Sequence, residues 1–176
     1  MNIKTLVVGP LEENCYILEK DNSCIVIDPG AEFERIASNI NSSLLGVIIT
    51  HYHDDHIGAL SQLVNKYNCP VYSHNNLKEG DFSIGTFNFE VIFTPGHKED
   101  AITLYFSYDK VMFTGDFIFN GSIGRMDLAG GNSKDMIDSI KKILTYPRDI
   151  KIYPGHFLPT TLKDEEVNLN YFMNRI

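Results

Sequence analysis

Apolar residues along the chain form short runs separated by turn residues, a pattern typical of β-strands. Residues 3–8, 14–18 and 24–27 are rich in Val, Ile and Leu, and Gly9-Pro10 and residues 21–23 interrupt them. These runs predict an antiparallel opening to the fold. Further runs predict strands at residues 44–49, 69–73, 87–94, 101–107, 110–114 and 150–153, the last strand of the chain. The pair Tyr108-Asp109 predicts a tight hairpin between two of them.

Helical periodicity marks four other segments. Apolar residues recur at helical spacing around residues 33–40 and 58–67. A third helix follows Ser133, its predicted N-cap, and ends before Pro147, and a terminal helix is predicted from about Asp164. Strands followed by a helix occur in both halves of the chain. The sequence therefore predicts an α/β fold in which two sheets pack face to face with helices outside.

Length and net charge narrow the possible domain organisation and binding partners. The chain has 176 residues, which fits one domain spanning residues 1–176. Its net charge of −8 argues against a nucleic-acid partner, because binding to a phosphate backbone needs a surplus of Lys and Arg. A small-molecule substrate is the better expectation. The sequence does not indicate an oligomeric state.

Cysteine usage and hydropathy bear on location. The three cysteines, Cys15, Cys24 and Cys69, are odd in number and scattered, which favours a reduced protein over a disulfide framework. The first eight residues lack the pattern of a signal peptide, and no apolar segment approaches the roughly 18 to 20 residues that cross a bilayer. We therefore expect a cytoplasmic protein with no membrane partner.

Candidate chemistry is concentrated in residues 50–56, Thr-His-Tyr-His-Asp-Asp-His, directly after the apolar run 44–49. Imidazole and carboxylate groups suit Zn²⁺, Fe²⁺ or Mn²⁺, whereas a solvated loop would not explain so many ligands at the end of an apolar strand. Alternate side chains of an extended segment share a face, so His51, His53 and Asp55 are expected together, with His56 crossing over as the next helix begins. This strand end would then serve two adjacent metal ions.

Other potential ligands also follow apolar strands. His97, Asp116 and His156 each come directly after a glycine at the end of a predicted strand. Glycine allows the tight turn that aims such a side chain over the sheet edge, and functional residues concentrate in loops held by rigid elements. We therefore expect all three to be metal ligands. His74 lacks this context and is interpreted as a loop or packing residue.

These motifs resemble the metallo-β-lactamase superfamily, and within it the compact glyoxalase II-like (hydroxyacylglutathione hydrolase-like) enzymes. The resemblance rests on the His-x-His-x-Asp-His motif at residues 51–56, Thr-Pro-Gly-His at 94–97, Phe-Thr-Gly-Asp at 113–116 and Tyr-Pro-Gly-His at 153–156. It implies an αβ/βα four-layer sandwich of two mixed sheets. It also implies two divalent metal ions at one edge of the sandwich, zinc first, with iron or manganese as alternatives.

The resemblance assigns a role to each residue. His51, His53 and His97 would hold the first metal, Asp55, His56 and His156 the second, and Asp116 would bridge them. Asp55 would also orient the attacking hydroxide. Asp28 would accept a hydrogen bond from a ligand histidine, or else be a plain turn aspartate. Arg125 would contact substrate, a solvated arginine being the alternative.

The implied activity is a metal-dependent hydrolase in which a metal-bridging hydroxide attacks a small-molecule thioester, such as S-lactoylglutathione, or a related ester. Glutathione recognition is a weaker expectation, because related full-length enzymes bind that group partly through a carboxy-terminal helical region. Asp116 stands where zinc β-lactamases usually carry cysteine, which disfavours lactams. Two alternatives stay open: a persulfide dioxygenase with a single iron, and a non-catalytic metal-binding module.

Overall fold

The computed structural model describes residues 1–175 and contains two main sheets. The first sheet has five strands in chain order: β1 (Asn2–Val8), β2 (Glu13–Lys20), β3 (Ser23–Ile27), β4 (Ser43–Ile48) and β5 (Val71–Tyr72). The first three strands pair antiparallel, which confirms the predicted opening, and β3, β4 and β5 are parallel. Parallel neighbours need a crossover connection, and helices supply it here.

The second sheet has six strands in the order β13-β12-β9-β8-β7-β6. Its strands are β6 (Gly80–Ile84), β7 (Phe87–Phe93), β8 (Ile102–Phe106), β9 (Val111–Gly115), β12 (Lys151–Pro154) and β13 (Thr160–Thr161). All neighbours are antiparallel except β9 and β12, which run parallel. A separate hairpin, β10 (Ile118–Phe119) and β11 (Ser122–Ile123), follows β9.

Five helices complete the fold: α1 (Phe33–Ser38), α2 (Asp54–Ile57), α3 (Leu60–Tyr67), α4 (Ser133–Ile143) and α5 (Leu162–Met173). Within residues 1–175 none of them combines the length and the hydrophobicity that crossing a bilayer requires. The helix predicted at 58–67 begins at Leu60. The predicted cap Ser133 is wrong, because the Asn132 side chain accepts the hydrogen bond from the Asp135 N–H and Ser133 is the first helical residue.

Alternation along the strands produces the four layers. Tyr16 and Leu18 of β2 face the core between the sheets, whereas Ile17 faces the layer that holds α1 and α3. In β9, Phe113 faces the same central core and Met112 packs with α4 and α5. Successive side chains of a strand point to opposite faces, so each central strand is buried on both sides. The predicted αβ/βα sandwich is confirmed.

One loop and two strands differ from the predictions. The loop between β8 and β9 has four residues, because Phe106 pairs with Val111 rather than Ser107 with Lys110. Residues 150–153 do not form the last strand, since β13 comes after them. Strand β6 was not predicted, because it lies at a sheet edge where only Ile84 is fully buried and polar residues interrupt the apolar pattern.

The central core depends on its aromatic residues, and Phe113 tests this. Its ring is 1% exposed and lies 5.0 Å from Tyr16, 5.7 Å from Phe106 and 5.2 Å from Tyr153 between centroids. We expect Phe113→Ala to lower the free energy of unfolding by about 3–5 kcal/mol, because it leaves a cavity where both sheets meet. Urea denaturation measures the loss. Tyr108→Ala, at a 94% exposed position, should change little; equal stability of the two variants would contradict this account of the core.

Candidate metal centre

Four strands end at the same edge of the sandwich and bring potential ligands together there. His51 and His53 follow β4, His97 follows β7, Asp116 follows β9 and His156 follows β12. Asp55 and His56 lie on the short helix α2 beside them. The seven residues that the sequence predicted as ligands thus meet at one place. Their role as ligands stays a prediction.

The first group consists of three imidazoles. The Nδ1 atom of His53 lies 3.0 Å from Nε2 of His51 and 2.9 Å from Nε2 of His97. One ring N–H can serve only one of these two neighbours. Three nitrogen atoms facing one point at this spacing match a set of zinc-type ligands better than a set of hydrogen bonds.

The second group mixes imidazoles and carboxylates. His156 Nε2 lies 3.2 Å from Oδ2 of Asp55, and His56 Nε2 lies 3.8 Å from the same oxygen. Asp116 lies between the groups: its Oδ1 is 3.3 Å from His56 Nε2, and its Oδ2 is 3.6 Å from His97 Nε2 and 3.5 Å from His156 Nε2. This placement suits the bridging role that the resemblance implied for Asp116.

One detail of the sequence prediction is wrong. Asp55 does not share an extended segment with His51 and His53, because the chain turns helical at Asp54. His53 is the last extended residue before the helix. The helical turn moves Asp55 away from the first group and places it with His56 and His156.

Four of the five histidines are oriented through their other ring nitrogen. Nδ1 of His97 lies 2.7 Å from the Arg125 carbonyl oxygen, and Nδ1 of His156 lies 3.0 Å from the Leu11 carbonyl oxygen. A carbonyl only accepts, so each Nδ1 carries a proton, and in the neutral ring Nε2 keeps its lone pair for the centre. Partners of this kind fix the tautomer and orientation of metal-binding histidines.

Asp28 orients the other two. Its carboxylate accepts hydrogen bonds from the Thr50 N–H at 2.7 Å, the Thr50 hydroxyl at 2.5 Å and His56 Nδ1 at 3.0 Å. The Thr50 hydroxyl donates to Asp28, so it accepts from Nδ1 of His51, 3.2 Å away. The lone pairs of His51 Nε2 and His56 Nε2 therefore point into the centre. Asp28 lies where the sequence predicted a residue that supports the ligands.

Buried atoms without partners indicate what the centre is built to hold. His56 Nε2 and Asp116 Oδ1 are buried, and although they lie 3.3 Å apart, neither makes a well-aligned hydrogen bond within residues 1–175. Leaving such groups without a hydrogen bond costs about 1–3 kcal/mol each. A divalent cation in the second group would satisfy both of these atoms, and another would satisfy the three nitrogens of the first group. The residues present therefore fit a metal ion in each group.

The two groups differ in their affinity for protons. Burial lowers the pKa of His51 well below its usual value and also lowers the pKa of His53. Burial opposes the charged form of His156 as well, but Asp116 and Asp55 outweigh it and raise the pKa of His156 to about 9. Asp116 and Asp28 likewise raise the pKa of His56 well above its usual value, although burial acts in the opposite direction. His51 and His53 are thus neutral at pH 7, whereas the second group holds protons that a cation would displace.

Two glycines allow the sheet ends to come this close. Gly115 has φ +49°, and a Cβ atom there would clash with the hydroxyl oxygen of Thr50. A Cβ atom on Gly155 would clash with Oδ1 of Asp116. Any larger residue would push Thr50 or Asp116 away. Close packing thus requires both glycines, and the left-handed turn is a second reason at Gly115.

Sequence reasoning missed Glu13. Its side chain is 1% exposed, lies 3.8 Å from His56 Nδ1, and has no hydrogen-bond partner within the described part of the chain. Burial raises the pKa of Glu13 to about 10, so the carboxyl group is neutral at pH 7. The available signal was a glutamate at the start of a strand whose middle, residues 15–18, is apolar.

Arg125 and His74, which the sequence analysis also considered, lie outside the group of seven predicted metal ligands. The Arg125 side chain is exposed and forms a two-pronged ion pair with Asp127, at 2.7 and 2.6 Å, while its backbone carbonyl orients His97. A substrate contact by the Arg125 guanidinium stays a prediction. The His74 ring packs against Phe93, 4.5 Å between centroids, as expected for a packing residue.

Comparison with known proteins places this geometry in a family. The model of the metallo-β-lactamase superfamily matches residues 8–80 and 76–156. The chain belongs to this superfamily. A probable metallo-hydrolase of Bacillus subtilis, YqgX, is 33% identical over 99% of this chain and 98% of its own length. The hydroxyacylglutathione hydrolase GloC of Haemophilus influenzae is 30% identical, over 99% of each chain.

Solved structures of the superfamily agree with the fold. The crystal structure of BLEG-1, a B3 metallo-β-lactamase, has a TM-score of 0.92 and 29% identity, covering 97% of this chain and 99% of its own. TTHA1623 in a di-iron-bound form has a TM-score of 0.87 and 31% identity, covering 93% and 96%. The superfamily fold implies divalent metal ions, in agreement with the two ligand groups found here.

The support that Thr50 gives to two ligands can be measured. In Thr50→Val the hydroxyl that links Asp28 to His51 is lost while the shape is kept. We expect zinc affinity to fall about 10- to 100-fold, as for other residues that orient metal ligands. Competition with a chromophoric chelator measures the affinity. The control is Thr103→Val, a buried threonine whose hydroxyl contacts Thr94 at 3.0 Å; a similar loss in both variants would contradict the role of Thr50.

Metal binding should depend on pH through the second group. Because His56 and His156 have raised pKa values when no cation is bound, they are protonated at pH 7 and must lose protons to bind metal. Apparent zinc affinity should therefore rise with pH, by about tenfold per unit for each proton displaced below its pKa. Chelator competition at pH 6 and pH 8, corrected for the chelator, measures this. Equal affinity at both pH values would contradict it.

Proposed function

We propose that this protein is a metal-dependent hydrolase that cleaves small-molecule thioesters, of the S-lactoylglutathione type, or related esters. One observation carries the proposal: seven side chains converge at one edge of the sandwich. Four of the five histidines among them direct one ring nitrogen to the centre while the other ring nitrogen is hydrogen-bonded. The 30% identity to a hydroxyacylglutathione hydrolase over nearly the full chain supports the thioester.

The proposed centre holds two divalent cations. His51, His53 and His97 would bind one, Asp55, His56 and His156 the other, with one carboxylate oxygen of Asp116 toward each. Two such ions would supply hydroxide at neutral pH and would polarise a carbonyl oxygen. Zinc suits these ligands, iron is present in one solved relative, and manganese fits the same ligand types.

The chain's own residues set the direction of attack. The Asp55 side chain is 24% exposed at the mouth of the centre, and its hydrogen bond to His156 lowers its pKa. Asp55 therefore stays ionised, and its Oδ2 could accept a hydrogen bond from an attacking hydroxide, which would orient the hydroxide oxygen toward the carbonyl. His51, His56 and His97 are almost fully buried, so substrate approaches from the side of His53, Asp55 and His156.

A thioester fits this machinery on chemical grounds. Its thiolate leaving group needs little protonation, so the reaction requires no general acid aimed at the leaving atom. The titratable groups of the centre serve as ligands or orient ligands in this proposal. An amide, whose amine must be protonated as it leaves, would need a further proton donor.

His53→Ala tests the proposal. It removes the nitrogen that faces both other imidazoles of the first group, so metal-dependent thiol release from S-lactoylglutathione should fall at least about a hundredfold. The matched control is His74→Ala, a histidine outside the centre, with turnover close to wild type. Release is followed with a thiol reagent after loading with zinc, iron or manganese, and circular dichroism checks the fold of each variant.

The same samples discriminate between activities. Oxygen uptake with glutathione persulfide, without thiol release from any thioester, would favour a dioxygenase. Turnover of a chromogenic cephalosporin alone would favour a lactamase, the activity in the name of one structural relative. Unchanged thiol release by His53→Ala would contradict the ligand assignment.

A further inference from the structure

A groove of about 600 Å³ opens beside His156, and four of its eight lining residues are apolar. Its wall includes Leu11 of the β1–β2 loop and Phe157 and Leu158, directly after His156. These three side chains are 63%, 68% and 74% exposed. Single exposed apolar residues are common, but a cluster of them around a concave surface marks a binding site.

Phe157 is held in an unfavourable backbone conformation. Its φ is +68°, in the left-handed region that bulky residues rarely adopt. The Asn14 amide fixes this loop, because it donates hydrogen bonds to the carbonyl oxygens of Pro154 at 3.0 Å and Phe157 at 2.8 Å. The ring stands edge-on to Phe119, 5.5 Å between centroids, at the margin of the groove. The surrounding structure enforces backbone strain at this exposed aromatic residue. Such strain is typical of functional sites, so we expect the ring to contact a ligand.

Charge decides what kind of group suits the groove. The described residues that line it include Glu12 and no Lys or Arg. The carboxylates of Asp55 and Asp116 lie on the far side of His156. Arg125 forms an ion pair with Asp127 on the His97 side of the centre, so its positive charge is not available to an anionic group bound in the groove. No Lys or Arg of the groove can therefore form an ion pair with an anionic peptide group such as glutathione, whereas a neutral apolar group would gain from burial against Leu11, Phe157 and Leu158.

We propose that the groove binds the apolar group of a neutral thioester or ester substrate, with Phe157 as the residue that determines this specificity. The inference rests on the proposed hydrolase function and names its substrate class. His156 belongs to both the groove and the metal centre, so one small molecule can place its carbonyl group at the centre and its apolar group against Phe157. The volume is that of ordinary small-molecule sites.

Matched substrates test this proposal. S-hexyl thioacetate and S-methyl thiohexanoate carry the apolar chain on the thiol and on the acyl side, and S-methyl thioacetate lacks it. Wild-type protein should show kcat/KM at least about tenfold higher for one hexyl substrate than for S-methyl thioacetate, because several methylene groups are buried. In Phe157→Gly and Phe157→Asn this preference should fall to within about threefold, because the ring that the apolar chain contacts is removed.

The variants are chosen so that they fold. Gly and Asn tolerate the left-handed conformation better than Phe, so neither variant should melt below the wild type. Tyr108→Ala removes another exposed aromatic ring, one outside the groove, and should leave the preference unchanged. A preference that persists unchanged in both Phe157 variants, or no preference in wild type, would overturn the assignment of the groove.

A binding measurement separates this proposal from the hydrolase itself. Fluorescence of the neutral probe N-phenyl-1-naphthylamine should increase with wild-type protein and much less with Phe157→Gly. If no thioester is hydrolysed but the probe shows this difference, the proposed function fails and the apolar site stands. If thioesters are hydrolysed while the probe responds equally to both proteins, the site fails and the hydrolase stands.

Discussion

The carboxylate of Asp28 is the contact on which the centre depends. It lies at the end of β3 and binds the backbone and hydroxyl of Thr50, at the end of the neighbouring strand, together with the ring of His56 on α2. Three segments are thereby fixed by one buried side chain. Without this contact no shared hydrogen-bond partner would fix the strand end that carries His51 relative to the helix that carries His56. The hydrophobic sandwich brings the segments near each other, and Asp28 sets their relative orientation.

Both sheets contribute to the candidate centre, and neither contains it alone. His51 and His53 follow a strand of the first sheet, whereas His97, Asp116 and His156 follow strands of the second. The aromatic core between the sheets therefore sets the distance between ligand groups. Close packing at Gly115 and Gly155 then brings the strand ends within reach of each other. The distances between the candidate ligands at the edge of the sandwich thus depend on the burial of apolar residues several positions away.

Features that burial determines could be predicted from the sequence, whereas features that depend on local turns could not. The apolar runs ending at His51, His97, Asp116 and His156 carry a strong signal, because a strand buried on both faces is the simplest explanation of their hydrophobicity. Asp55 was misplaced because two adjacent aspartates begin a helix as readily as they continue a loop. Edge strand β6 is half polar and carries little signal. Glu13 could not have been found from its type alone, since its burial is decided by residues distant in the chain.

The spacing of the ligands along the chain also implies an order of assembly. The three imidazoles of the first group are all present once the chain reaches His97, whereas Arg125, whose carbonyl oxygen orients His97, comes later. The second group waits for His156, which is positioned by β12 pairing in parallel with β9, a contact between segments some forty residues apart. The residues of the first group are therefore synthesised before the last residue of the second group. The final geometry of each group depends on a segment made later, Arg125 for the first and His156 for the second.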